Sequence, residues 1–165
     1  MTAEATVIRG GQVVRLPASE LVPGDVVQLT AVPATGWTFS NWTGDASGST
    51  NPVDVTINGN TAVTANYTAI EYTLTITSAH GTVAKSPSQA TYHENDVVEL
   101  TPTADTGWTF SNWTGGLTGS AVPGSVTIHG NTAVTANYSQ NEYTLTVTSA
   151  HGTVNRNNPG PYHYG

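Results

Sequence analysis

GWTFSNWTG at positions 36–44 returns unchanged at 107–115, an offset of 71 residues. Working outward, GNTAVTANY at 59–67 returns at 130–138, and EYTLTITSAHGTV at 71–83 returns as EYTLTVTSAHGTV at 142–154. Pairing each residue i with i+71 from Asp25 to Val83 gives 42 identities in 59 pairs without a gap. Self-similarity at a fixed period marks a tandem array of small structural units. The period predicts units at 1–69 and 70–140, with a partial third unit, a strand or hairpin stub, at 141–165. Arrays of this kind space and present surfaces rather than enclose one catalytic centre, so no enzyme is expected.

Within a unit the dominant pattern is period-2 alternation, the mark of half-buried strands. Tyr72, Leu74 and Ile76 alternate with Thr73, Thr75 and Thr77, and Tyr143, Leu145 and Val147 repeat that face. Val53, Val55 and Ile57 alternate, as do Val63, Ala65 and Tyr67. Thr, Val, Ile, Tyr and Trp suit a pleated surface. Hairpin punctuation is expected at Asn58-Gly59, His80-Gly81, His129-Gly130 and His151-Gly152. Asn-Gly is the strongest of these signals, because a type I′ turn needs positive φ at both central residues. The fold expected is all-β, a tandem of small antiparallel domains. Strands in the second unit are predicted at 72–78, 82–85, 97–102, 108–113, 126–129 and 132–138. No segment carries a helical apolar stripe, and 18–21 has room for one turn between Pro17 and Pro23.

The head, 1–24, does not follow the repeat, yet strand–turn–strand still reads at 5–9, Gly10-Gly11 and 12–16. Register begins abruptly at Asp25-Val26-Val27. From there to Gly165 the chain spans 141 residues, one short of two periods, which is why the last unit is expected to be partial.

The formal charge is −7 and Lys and Arg number four. Nucleic acid and anionic membrane both require clustered cations, so neither partner is expected. There is no cysteine, which removes disulfides and thiolate metal sites. No apolar run approaches the ~18 residues of a membrane span, and the start lacks the apolar core of a signal peptide. Only 9% of residues are charged, with Thr, Ser, Asn and Gly taking over solvation. That composition points to an extracellular or bacterial cell-surface β-protein.

The aromatic residues must supply most of the core in units this small. Alternation places Trp37 with Phe39, and Trp108 with Phe110, on the inward face. Trp42 and Trp113 are then the exposed pair, candidate contacts for stacking on glycan rings in an alternative carbohydrate-binding reading. His80, His129 and His151 precede glycines in expected turns, and His93-Glu94 has no counterpart in the first unit. Asp45 and Asp54 become Gly116 and Ser125 one period on, which argues against a shared calcium loop. No metal, cofactor or catalytic residue is expected. Asn41, Asn66, Asn112 and Asn137 each open an Asn-x-Ser/Thr sequence, the pattern of a glycosylation acceptor.

After 24 the chain resembles the divergent internalin-type B-repeat family of bacterial surface and secreted proteins. The resemblance rests on the alternating opening strand, the His-Gly turn, YHENDVV at 92–98, GWTFSNWTG and the closing TANY. It implies a small β-domain, β-grasp-like, strung in tandem, with no catalytic residues. EATVIRGGQVVRLPASELVPGDVV at 4–27 resembles instead the start of the actuator domain of cation-transporting P-type ATPases, where it is a β-rich scaffold. The phosphorylation motif and membrane helices of those pumps are missing here, so that resemblance implies no pump activity. The two resemblances meeting at Gly-Asp-Val-Val imply a joined sequence.

The expected partner is another copy of the chain. Tyr143, Leu145 and Val147 form an apolar face that the remaining residues of the partial unit do not cover. An unpaired strand of this kind is a template for pairing with another chain. Its docking on the N-terminal unit of a neighbour would be a heterologous contact, which propagates into an open filament when it does not close.

Overall fold

The structure is a computed structural model that describes residues 4–164. It is all-β, and its one helical turn among the described residues is a 3-10 turn at Ala18–Glu20. The chain divides into two compact units, 1–70 and 71–165.

The first unit contains β1 (Glu4–Arg9), β2 (Gln12–Pro17), β3 (Val26–Leu29), β4 (Trp37–Gly44), β5 (Val53–Thr56) and β6 (Val63–Ala69). They form a four-stranded sheet in the order β2-β1-β3-β5 and a two-stranded sheet, β4-β6, every pairing antiparallel. The second unit contains β7 (Leu74–Ser78), β8 (Gly81–Ser86), β9 (Val97–Ala104), β10 (Trp108–Gly115), β11 (Gly124–Thr127) and β12 (Thr132–Gln140). Its two sheets are β10-β12-β7 and β11-β9-β8. All pairings are antiparallel except β12 with β7, which is parallel.

The shared part of the repeat is built to one register. Trp37 faces Ala69 and Gly44 faces Val63, and 71 residues on Trp108 faces Gln140 and Gly115 faces Val134. Val27 faces Val55 as Val98 faces Val126. Both β4 and β10 carry a bulge, between Phe39 and Asn41 and between Phe110 and Asn112. A bulge adds one residue to the strand and shifts its phase. Phe39 and Trp42, three residues apart, therefore meet at 5.0 Å between ring centroids, and Phe110 and Trp113 at 4.8 Å.

That bulge overturns the expected assignment of the tryptophans. Trp42 and Trp113 are the core residues, 5% and 1% exposed, and their indole N–H groups donate to the carbonyls of Thr50 and Ala121 at 2.9 Å. Trp37 is 48% exposed. Trp108 is half-buried, stacked on His80 with ring centroids 3.5 Å apart and planes 3° from parallel.

Packing around the buried indole is matched within each unit. The first has Ala46 and Val53 where the second has Leu117 and Gly124. A Cβ on Gly124 would come within 2.7 Å of Leu117 Cδ2 and 2.6 Å of Trp113 Nε1. The larger Leu117 therefore requires the smaller Gly124, a size exchange that keeps total volume. Gly44 and Gly115 are fixed for another reason. At φ 93° each would drive a Cβ into a backbone carbonyl, that of Ala62 just before β6 or that of Ala133 in β12.

The units differ at their opening strands. In the second, β7 leaves its neighbour β8 and crosses to β12 (Thr132 opposite Leu74, Val134 opposite Ile76, Ala136 opposite Ser78), while β8 pairs with β9. In the first, β1 and β2 form a true hairpin, turned at Gly10 and Gly11, and β1 takes the edge of β3. No described strand occupies the far edge of β6. The expected hairpins at Asn58-Gly59, His80-Gly81 and His129-Gly130 are thus corners between strands of different sheets. Positive φ among non-glycine residues occurs at Asn95, not at these Asn or His positions, which is why no type I′ hairpin forms there.

The consequence is visible in the cores. In the second unit one cluster holds Leu74, Tyr92, Val98, Leu100, Trp113, Val126, Ile128, Val134 and Ala136. In the first the buried residues fall into two clusters, one of Trp42, Ala31, Ala46 and Val55, the other of Val7, Leu16 and Val27. Six of the seven largest fully buried side chains belong to the second unit.

The segment 142–149, expected as a strand, is not one. Its recorded pairing is a single bridge between Tyr143 and Tyr162, and Tyr143, Leu145 and Val147 are 47%, 52% and 44% exposed.

Two outcomes follow for stability. Trp113→Ala should cost about 3–5 kcal/mol in urea unfolding, whereas Trp37→Ala should change stability by no more than about 0.5 kcal/mol. Acid should also weaken the first unit selectively. Arg9 Nε and Nη2 hold both oxygens of buried Asp25 at 2.8 and 2.6 Å, and the Val22 amide donates to it at 3.0 Å. The Arg9 hydrogen bonds first, and the Val22 N–H second, hold the Asp25 carboxyl down to about 2. A pKa lowered by folding adds stability above the unfolded value of about 3.9 and loses it as pH falls toward the folded value. Thermal unfolding should show the first unit weakening from about pH 4 to about pH 2. Asp25→Asn should lose most of that dependence.

Candidate functional site

The surface that distinguishes the units lies along the free edge of β6. Two grooves flank it. One, of about 250 Å³, is lined by Leu21, Val27, Leu29, Val55, Ile57, Thr61 and Val63. Each has a counterpart 71 residues on, namely Tyr92, Val98, Leu100, Val126, Ile128, Thr132 and Val134. Six of those counterparts are buried to 3% exposure or less. In the second unit the space is filled by Leu74, with Ile76 packed beside it. The positions equivalent to those two residues in the first unit are Ala3 and Ala5; the first lies outside the described residues.

The other groove, of about 480 Å³, sits toward the far end of the strand and is lined by Val32, Ala34, Trp37, Ala65, Asn66 and Tyr67. Val32 is 78% and Tyr67 37% exposed. In the second unit this end is closed by the corner after β7. There His80 stacks on Trp108, and Ser78 and Tyr138 share a hydrogen bond of 3.0 Å between their hydroxyls. The residue at the His80 position of the first unit is Arg9, which is committed to Asp25.

Tyr143, Leu145 and Val147 are exposed and lie outside the named strands, Tyr143 being bridged to Tyr162 through both backbone hydrogen bonds. Trp42 and Trp113 are buried, so neither presents a ring face for a sugar; the bulge that turns them inward is the reason. The four Asn of the Asn-x-Ser/Thr sequences serve the bulges. Asn66 Nδ2 donates to Asn41 O at 3.3 Å and Thr43 Oγ1 at 3.0 Å, and Asn137 repeats this with Asn112 and Thr114. Asn41 and Asn112 donate to the carbonyls of Trp42 and Trp113.

The polar residues form local pairs. His129 Nδ1 lies 2.6 Å from Glu94 Oε1. His93 N donates to Asp96 Oδ2 at 2.8 Å, as Val22 does to Asp25, so this aspartate caps the turn before β3 and β9 alike. Asp45 accepts from the Ala62 amide and Asp54 from Gln28. Among the described residues no group of three or more His, Asp or Glu is placed to hold a metal ion. Nor is any helix among them long and apolar enough to cross a membrane.

The grooves beside β6 were not legible in the pattern of residue types. The signal was present as an absence, since the first unit lacks the sequence that reads YTLTITS at 72–78 and YTLTVTS at 143–149.

No curated protein and no solved structure matches the chain. The family model for the divergent InlB B-repeat domain matches twice, over 1–71 and 72–142. The first match takes in the head at 4–27, and nothing in the comparisons supports its resemblance to a P-type ATPase actuator. Matched over both units in tandem, the chain belongs to the divergent InlB B-repeat domain family.

Proposed function

We propose that this chain is a non-enzymatic structural or adhesive module of a bacterial extracellular or cell-surface protein, and that it associates with copies of itself. Family membership supports a bacterial surface repeat. The observation that carries the structural reading is how the aromatic residues are used. Trp42 and Trp113 are spent on the cores, and their indole N–H groups are bound internally. That use supports reading what repeats at 71 residues as a scaffold, bulge and turn caps included.

Self-association is supported by the exposed Tyr143, Leu145 and Val147 on a segment whose sequence forms β7 one period earlier. Because donor and acceptor surfaces differ, the contact is heterologous and adds copies head to tail. The net charge of −7 opposes association, so added salt should favour it.

The 165-residue chain should show a mass in light scattering that rises with concentration and salt, and beaded filaments in electron microscopy. Removing 142–165 should leave a monomer of unchanged β-content. A full-length chain that stays monomeric at millimolar concentration would contradict the self-association.

A further inference from the structure

The geometry points to a defined donor and acceptor: the segment 145–149 of one copy inserts as a parallel strand along the open edge of β6 in a second copy, completing its first unit as β7 completes the second. This rests on the self-association proposed above and specifies its site.

The second unit supplies the template. Its β7 runs parallel to β12 with Leu74 opposite Thr132, Ile76 opposite Val134 and Ser78 opposite Ala136. Subtracting 71 from the acceptor gives Thr61, Val63 and Ala65. Adding 71 to the donor gives Leu145, Val147 and Ser149. In the acceptor, 59–67 and 130–138 are identical; in the donor, 142–154 differs from 71–83 only by Val147 in place of Ile76. The acceptor edge is unpaired among the described residues, and β6 begins at Val63 where β12 begins two positions earlier, at Thr132.

Several features that hold β7 have counterparts in the proposed pair. Asn131 Oδ1 accepts from the Thr73 amide at 2.9 Å, and Thr132 N donates to Thr73 O at 2.8 Å. Asn60, Thr61 and Thr144 stand at those positions, all exposed. Leu74 is 7% exposed within its core, whereas Leu145 is 52% exposed and the apolar groove of about 250 Å³ beside Val63 has room for it. His80 covers Trp108; His151 would cover Trp37, now 48% exposed. Ser78 bonds Tyr138; Ser149 would meet Tyr67. Backbone pairing supplies affinity in this mode of binding, and the pockets for alternate side chains supply register.

The chain has no cysteine, so introduced thiols report cleanly. Thr135 faces Thr77 across β12 and β7, which places Thr64 opposite Thr148 on the outward face. Neighbouring strands lie about 4.8 Å apart, within the ~4.4–6.8 Å Cα range of a disulfide. A Thr64→Cys chain mixed with a Thr148→Cys chain should give a crosslinked heterodimer under mild oxidation. Thr146→Cys, two residues out of register, should crosslink poorly. Leu145→Asp lies outside the folded strands and should weaken association more than about ten-fold, through loss of one buried leucine, with unfolding unchanged.

Assembly that persists in Leu145→Asp, or without the Thr64–Thr148 crosslink, would overturn this site while leaving self-association standing. A chain that neither assembles nor crosslinks would remove both. A Thr64→Cys/Thr148→Cys double variant that crosslinks only within a monomer would overturn the second copy as occupant.

Discussion

The parallel pairing of β7 with β12 is the contact on which the architecture of a unit depends. It is the one parallel pairing among the described strands, and it ties the first strand of a unit to its last. Leu74 and Ile76 enter between the two sheets on that strand. Where they are present, Tyr92, Leu100, Ile128 and Trp113 form one buried cluster. Where they are absent, the buried residues separate into two clusters with a groove between β6 and the four-stranded sheet. At about 25 cal/mol per Å² of apolar surface, a buried leucine and isoleucine contribute on the order of 3–6 kcal/mol. That is a sizeable part of the 5–15 kcal/mol that holds a typical domain.

The first unit offsets this loss with its own devices. Its β1–β2 hairpin covers the edge of β3, burying Val7 and Leu16, and the Arg9–Asp25 pair pins that hairpin to the turn before β3. In the second unit β8 occupies the edge of β9 instead, and Asp96 caps the same turn with no arginine. The head is thus a different solution to closing the edge of one sheet, and it leaves the edge of the other sheet open. Among the described residues the first unit thus keeps an unpaired strand edge on β6.

Much of this fold was legible in the sequence. The 71-residue period, the all-β character and all six strands of the second unit follow from alternation and from the repeated GWTFSNWTG. So does the strand–turn–strand of the head. Three features were not legible for definite physical reasons. The bulge after Phe39 adds a residue without changing the local pattern of residue types, so counting in twos placed Trp37 inside and Trp42 outside. The His-Gly and Asn-Gly doublets mark where the chain turns, but turn chemistry does not say whether the flanking strands pair with each other or part into two sheets. The candidate assembly segment was visible as an apolar strand with no partner. Its acceptor groove was not, because it is defined by a strand the first unit lacks.

Hydrogen exchange at the amides of β6 tests most directly whether β7 and its equivalents govern closure of the unit. In dilute solution the β6 amides on the open edge should exchange much faster than their counterparts on β12, which pair with β7. At assembling concentrations they should become protected together with amides in 145–149. Equal protection of β6 and β12 in the dilute monomer would contradict the account, because the first unit would then be closed without a donor strand.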